Sequence, residues 1–462
     1  MRYLLNVIYL LTLGLYAPWL IVGLVRQGKY REGFAAKLWG QVPRRSGRET
    51  CIWLHAVSVG EINLLGPMIT RLEKQHPLWT CVISTTTLTG YRLARQKYAP
   101  RPVFYCPLDF SWAVRRAMRR MRPDLLVLTE LELWPNLIFA ANRRGVPVAV
   151  INGRMSDRSL QGYRRIRWFM TSLLRRIDLI AVQSDAYRER FLSLGAPPES
   201  VHVTGSIKFD GAQIDRTNAL TRHLMRLANI ADDDVVWLAG STQHPEESLA
   251  LETFQALAVE FPRLRLILVP RHPERFDSVA AELEKSGMAW QRRSQLGRMP
   301  PQEPTARILL VDGMGELDAW WGTARIAFVG GSLTDRGGQN MIEPAAYGVA
   351  VSFGPHTHNF HDIVSMMIQA QAAHVVHNGQ QLTDFVRQCL EDPVYAQGLG
   401  RRAQQLVLQH RGAADRTCVW LSQLLGSNGV GGCFRPAIHP MESGFSKNDS
   451  RPPFPPIPPG NT

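Results

Sequence analysis

Several short stretches set carboxylates, cations or hydroxyls directly behind apolar runs. That is where an open α/β sheet presents groups to a ligand. WLHAVSVGEI (Trp53–Ile62) passes from Trp53 and Leu54 through small residues and a glycine to a lone acid, Glu61. An acid there can serve a helix start by meeting its macrodipole. It can equally be a general base at the mouth of a sheet. TELELWPNL (Thr129–Leu137) ends an apolar run with Glu130 and Glu132, two residues apart, before Trp134-Pro135 opens a helix. In extended chain these two face one side, where they could tune each other or orient a sugar; alternatively they are helix-start acids. INGRMSDRS places Asn152 and Arg154 after a strand, and GSIKFD places Lys208 beside a linker. STTTLTGYRLA offers hydroxyls, of which Thr87 or Thr89 is better read as a helix cap.

The second half carries anion-binding chemistry. In VGGSLTDRGGQNMIEPAAYG (Val329–Gly348), Gly330, Gly331 and Ser332 follow a strand. Glycines there would let backbone approach a phosphate, and Ser332 would add a hydroxyl. Gly337 to Asn340 precede a helix expected from Met341, whose free N–H groups would make an anion site. Glu343 in its first turn could hold a ribose diol. The plainer reading is two turns and a dipole partner. LVPRHPER sets Arg271 and His272 at a strand end, suited to a nucleotide phosphate or simply solvated. LAGSTQHPEE sets Ser241 and Thr242 before Pro245-Glu246-Glu247, another phosphate cradle or a capped helix.

The elements that must position these groups form a regular pattern. Strands are expected at Cys51–His55, Thr80–Ser84, Val103–Cys106, Asp124–Thr129, Val146–Ile151, Leu179–Val182 and Val201–Thr204. A polar break around Phe209–Asp234 follows. The alternation restarts at Val235–Ala239, Leu264–Val269, Ile308–Val311, Ile326–Val329, Val349–Phe353 and Ala373–Val376. Apolar strands alternating with amphipathic helices predict parallel sheets covered on both faces. The fold class is therefore α/β: two doubly wound, Rossmann-like domains, residues 31–215 and 216–425, with a cleft between them. A loop is expected over Ser294–Thr305 and one closing helix over roughly Leu399–Leu425. Residues 426–462, rich in Pro, Gly and Ser, read as a disordered tail.

Tyr3 to Val25 lacks any charged residue, long enough for a bilayer span, and Arg26, Lys29, Arg31 and further cations follow it. Residues 1–30 are expected to be an uncleaved anchor, spanning or monotopic, with the bulk of the chain cytoplasmic. The net charge of +14 implies an anionic partner. Arginines gather at Arg115–Arg122 and Arg154–Arg167, and Arg suits bidentate phosphate contact. A nucleic-acid partner is not expected, because no zinc-finger, RRM or comparable motif is present. Six cysteines form no CxxC pair and no zinc spacing, which fits a reducing compartment and predicts no metal site.

In this order, HAVSVGE, TELELWPN, INGRMS, GSIKFD, PRHPER, GGS and GGQNMIEPAAYGVAVSFGPHTHNF closely resemble the Kdo (3-deoxy-D-manno-octulosonic acid) transferases of lipopolysaccharide assembly. The resemblance runs from about Tyr3 to Leu425. It implies a GT-B fold, CMP-Kdo as sugar donor, a phosphorylated lipid A precursor as acceptor, and an anionic inner-membrane surface as a partner. It implies inversion at the anomeric carbon with no cofactor and no catalytic metal. Glu61 matches the family's proposed base, and Glu130 and Glu132 its acidic pair. The family's nucleotide-binding positions fall on Arg271, Ser332, Asn340 and Glu343, and Ser241, His272, Gly330 and Gly331 join them as sugar-donor candidates from the strand-end motifs. Ser58, Asn152, Arg154 and Lys208 are the candidates for holding or orienting the acceptor. One departure stands out: Gln339 occupies a position where the family pattern has His, so no proton-transfer role is expected there.

Overall fold

The computed structural model describes residues 5–7, 9–12, 14–15, 32–297 and 306–427. The first sheet holds β1 (Cys51–His55), β2 (Thr80–Thr85), β3 (Val103–Tyr105), β4 (Leu125–Thr129), β5 (Val148–Gly153), β6 (Leu179–Val182) and β7 (Val201–Val203). All are parallel, in the order β3-β2-β1-β4-β5-β6-β7. Every residue of β1 and β4 is buried, which is why these strands read as continuous apolar runs. The second sheet holds β8 (Val235–Thr242), β9 (Leu264–Pro270), β10 (Trp290–Arg292), β11 (Ile308–Leu310), β12 (Ile326–Val329), β13 (Ala350–Phe353) and β14 (His374–Val375). Its order is β10-β11-β9-β8-β12-β13-β14, again parallel.

All thirteen expected strands correspond to strands of these sheets, with ends moved by a residue or two, or three at the end of β8. The fourteenth, β10, was not expected. Trp-Gln-Arg has no apolar run, and its three half-buried residues are recruited to the sheet edge by β11. Two such parallel sheets are what the residue pattern called for, and they match the GT-B arrangement that the resemblance implied. Four cores, one on each face of each sheet, account for the apolar content.

The closing helix differs from expectation. It is two helices, Pro393–His410 and Ala413–Ser427, broken where Gly412 takes the left-handed conformation (φ 88°). The second helix turns back onto the first lobe. Ala414, Cys418 and Leu421 lie on one helical face, and together with Ala413 they join Ile52, Leu54 and Ile62 in that lobe's core. Asp210 fixes the crossing by accepting from the Ala414 amide (2.7 Å), and Arg416 Nε donates to the Thr204 carbonyl (2.9 Å). The boundary drawn at 216–425 is corrected accordingly: residues 413–427 follow the second lobe in sequence and pack on the first.

Among the described residues no helix is long and apolar enough to cross a membrane. The expected anchor over residues 1–30 lies mostly outside the described residues, as do residues 298–305 of the expected loop and the tail from 428. Its described part, within residues 5–15, is helical and tied to the first lobe. The Asn6 side chain donates to Ser111 Oγ (2.7 Å) and accepts the Ser111 amide (3.0 Å), and Tyr9 donates to Asp109 (3.1 Å). Five described cysteines are buried and free.

Candidate active site

In each sheet the strand order reverses direction at one place, between β1 and β4 and between β8 and β12. The crevice beyond the carboxyl ends of such strands is the ligand position in open α/β sheets. Glu61 follows β1, Glu130 follows β4, Ser241 is the penultimate residue of β8 and Gly330 follows β12. Thus the motifs converge on the two switch points.

On the first lobe, Glu61 is 7% exposed and sits three residues into the first turn of helix Val59–Gln75. The helix-start reading holds for this group. It closes a capping box with Ser58, whose side chain accepts from the Glu61 amide. Its Oε1 accepts the Ser58 amide (3.3 Å) and Ser58 hydroxyl (2.8 Å). Its Oε2 accepts the Val57 amide (2.9 Å) and the Thr129 hydroxyl (2.5 Å). A carboxylate has about four lone-pair sites, and all are filled here. The two amides are fixed by backbone, but Thr129 Oγ1 also lies 3.0 Å from the His55 carbonyl. Rotation of that hydroxyl onto His55 opens a lone pair on Glu61 Oε2. Thr129 is therefore a member of the site that the sequence reading missed, although it is the last residue of the strand that delivers Glu130.

His55 lies beneath. Burial lowers its pKa to about 4, so it is neutral at working pH. Its Nδ1 meets Ser84 Oγ at 2.9 Å, while Nε2 has no hydrogen-bond partner. The expectation that Glu130 and Glu132 face one side is corrected. The strand stops at Thr129, and Glu130 takes a left-handed conformation (φ 50°), which breaks the two-residue alternation. Glu130 instead meets Arg154 Nε (2.8 Å) and Lys208 Nζ (3.5 Å). Glu132 accepts from Trp134 Nε1 (2.9 Å), and burial raises its pKa. Asn152, also left-handed (φ 53°) and fully buried, accepts the Ile207 amide on Oδ1 (3.1 Å). It thereby anchors the turn that carries Lys208. Glu130, Asn152, Arg154 and Lys208, scattered over about 80 residues, form one cluster. Thr87 caps its helix, as the plainer reading had it.

On the second lobe the glycine-rich cradle is corrected. The Gly330 amide is spent on Gly240 (2.9 Å). The amides of Gly331, Ser332 and Leu333 all point to the carboxylate of Glu246 (2.7, 2.9 and 3.0 Å). Ser332 Oγ donates to the Val329 carbonyl (2.6 Å) and accepts the Gly354 amide (2.8 Å). Gly330 is required by the approach of two loops: a Cβ there would meet Thr242 Cα at 2.6 Å. These residues build the floor of the site and have no free amide for a phosphate. The helix expected from Met341 is Ile342–Ala346, a single turn, and Asn340 Oδ1 already accepts the Ile342 amide (3.2 Å).

The remaining candidates at these strand ends act through side chains. Arg271 and His272 are exposed beyond β9. Ser241 is buried (8% exposed) in a left-handed conformation (φ 56°). Asn340 Nδ2 donates to Glu343 (2.9 Å). Burial first, then neighbouring Asp318, push the Glu343 pKa up to about 7, against the opposing pull of Asn340 and Arg271. Gln339 lies against Gly331, its Nε2 3.2 Å from where a Cβ would stand.

Comparison with known proteins agrees with this architecture. The family model described as "3-Deoxy-D-manno-octulosonic-acid transferase (kdotransferase)" matches residues 29–211. The chain is 34% identical over 380 residues to the 3-deoxy-D-manno-octulosonic acid transferase of Haemophilus influenzae, covering 82% of this chain and 88% of that one. It is 33% identical over 435 residues to the enzyme of the same name from Bordetella pertussis, covering 91% and 99%. Among solved structures, UDP-GlcNAc 2-epimerase from Neisseria meningitidis bound to UDP-GlcNAc shares the fold, with a TM-score of 0.54 and 14% identity over 81% of this chain and all of that one. The chain belongs to the 3-deoxy-D-manno-octulosonic acid transferase family and is a glycosyltransferase.

Proposed function

We propose that the protein transfers Kdo from CMP-Kdo to a phosphorylated lipid A precursor, lipid IVA, with inversion and with Glu61 as general base. The observation that carries this reading is the hydrogen-bond set around Glu61. Two backbone amides hold the carboxylate still, and one of its two hydroxyl donors, Thr129, has a second acceptor within reach. When Thr129 turns to His55, the freed Oε2 lone pair takes the proton of the acceptor hydroxyl. The acceptor oxygen bonds to the anomeric carbon, the bond from that carbon to the phosphate oxygen breaks, and CMP leaves with the electron pair. The positive charge building on the sugar is of the kind met in glycoside chemistry generally. Arg271 neutralises the departing phosphate from the second lobe, with His272 and Ser241 beside it. Glu343, held by Asn340, accepts from the ribose diol. The Glu130–Arg154–Lys208 cluster orients the acceptor or the Kdo carboxylate.

The acceptor lies in an anionic membrane, and we assign the protein to the cytoplasmic side of the inner membrane. This is supported by Phe34, Trp39, Trp112 and Trp168, large apolar side chains exposed on the first lobe. Arg44, Arg116, Arg119 and Arg120 line a shared pocket there, and each cation near such a surface contributes about 1 kcal/mol. Arg154 is not among these cations, because it is spent on Glu130. One experiment tests the whole reading: incubation with a CMP-Kdo-generating system and tetraacylated lipid A precursor, followed by mass measurement of the product. A mass gain of one or more Kdo residues is expected, with CMP and not UDP as product inhibitor. An unchanged acceptor mass overturns the assignment.

A further inference from the structure

Glu246 is fully buried and its carboxylate collects four backbone amides. Oε2 accepts from Gln243 (2.9 Å) and Gly331 (2.7 Å). Oε1 accepts from Ser332 (2.9 Å) and Leu333 (3.0 Å). A helix-start acid normally serves its own first turn. Here three of the four donors come from a loop 85 to 87 residues away in sequence. An amide nest of this kind is what binds a phosphate in many nucleotide sites. In this protein the nest is already filled, by an anion of the chain itself.

The connections run outward from that carboxylate to the side chains facing the sugar donor. The Gly331 carbonyl accepts the Gly338 amide (2.7 Å), which sets the start of Gln339-Asn340. The Ser332 carbonyl accepts the His356 amide (3.0 Å), and Asn359 reaches the Gly337 carbonyl (3.0 Å). On the other side, Thr242 precedes Gln243, and its carbonyl accepts the Arg271 amide (3.0 Å). Arg271 and the Asn340–Glu343 pair therefore hang from loops that meet at one buried carboxylate. Without it, four amides would be left without a protein acceptor and the loops would part.

We propose that Glu246 is a positioning residue for sugar-donor binding: a resident anion that locks the strand-end loops carrying Arg271 and Asn340–Glu343. It touches no substrate. The proposal rests on the sugar-donor reading above, so the test separates the two. Amide hydrogen exchange of residues 330–340 and calorimetric CMP binding are measured in wild type, Glu246→Gln, Glu246→Asp and Glu246→Ala. In the variants the loop amides are expected to exchange at least about tenfold faster, and CMP to bind at least about tenfold more weakly. Formate, at about 50 mM, is expected to refill the nest in Glu246→Ala and to restore most of the lost affinity; a role in general stability alone predicts no such rescue. A folded Glu246→Gln with wild-type exchange and wild-type CMP affinity overturns the proposal. Should Glu246→Ala fail to fold, Glu246→Asp decides. It keeps the charge but withdraws the carboxylate by one methylene, and wild-type CMP affinity in that variant equally overturns the proposal. If wild type itself does not bind CMP, the sugar-donor reading fails, while the exchange data still decide whether Glu246 locks the loops.

Discussion

Replacing Glu61 with Gln removes a charge at nearly constant shape, and the hydrogen bonds fix its cost. Each carboxylate oxygen faces one backbone amide, Val57 or Ser58, and one hydroxyl. Whichever position the new NH2 group takes, it meets a fixed N–H. The less costly orientation sets it against Ser58, whose amide is the more distant at 3.3 Å and whose hydroxyl can turn to accept. One buried pairing is lost, a cost of about 1–2 kcal/mol. At roughly 2–4 °C per kcal/mol for a lobe of this size, melting falls by about 2–8 °C. A protein stabilised by about 5–15 kcal/mol stays folded under that loss. Inactivity in Glu61→Gln would therefore not reflect unfolding. Turnover is expected to fall by at least about 10²-fold, the low end of general-base catalysis, with CMP affinity unchanged because the proposed CMP site lies on the other lobe. Single-turnover transfer at saturating CMP-Kdo, with calorimetric CMP titration beside it, measures both. Turnover within about threefold of wild type, in a variant melting where expected, would show that Glu61 is only a helix cap.

Three further outcomes follow from the same contacts. Glu343 holds its proton to about pH 7, so CMP should bind more weakly as pH falls through that value; the trend should vanish in Glu343→Gln, and a slope that persists there belongs to another group. Asp109, buried and accepting the Asn136 and Leu137 amides (each 2.9 Å), is pushed up to about 7 by burial. Between its ordinary value near 4 and about 7 the folded state binds the proton and the unfolded state does not, so stability declines as pH rises across that window. The contribution is on the order of 2–4 kcal/mol, and urea unfolding of wild type and Asp109→Asn at pH 4 and pH 8 should show a difference that changes with pH. Leu421→Ala should cost about 2–4 kcal/mol, because this fully buried side chain fills the first lobe's core from a helix that follows the second lobe in sequence; unchanged melting would mean that helix Ala413–Ser427 does not dock there.

Much of the fold was legible because buried parallel strands announce themselves as short apolar runs between turn residues. β1, β6 and β12 are expected and found at the same residues, and Glu61 was readable as a strand-end acid from WLHAVSVGEI alone. β10 was not legible, since its residues carry no apolar run and are held by the neighbouring strand. The break at Gly412 was missed because the apolar repeat continues across it with little change, and a helical period says nothing about which lobe the apolar face meets.

Sequence by itself determined the class of elements, their order, and which residues stand at strand ends, because these depend on local periodicity and turn chemistry. The tertiary structure alone decided what each of those residues touches. It broke the extended spacing of Glu130 and Glu132 with one left-handed backbone angle and brought Arg154 and Lys208 to Glu130. It gave the GGS amides to Glu246 instead of leaving them open, and it laid Thr129 against Glu61. Hydrogen-bond partners of this kind come from strands and loops far apart in the chain. Their pairing is fixed only when two sheets close and every buried amide and carboxylate must find an acceptor or a donor.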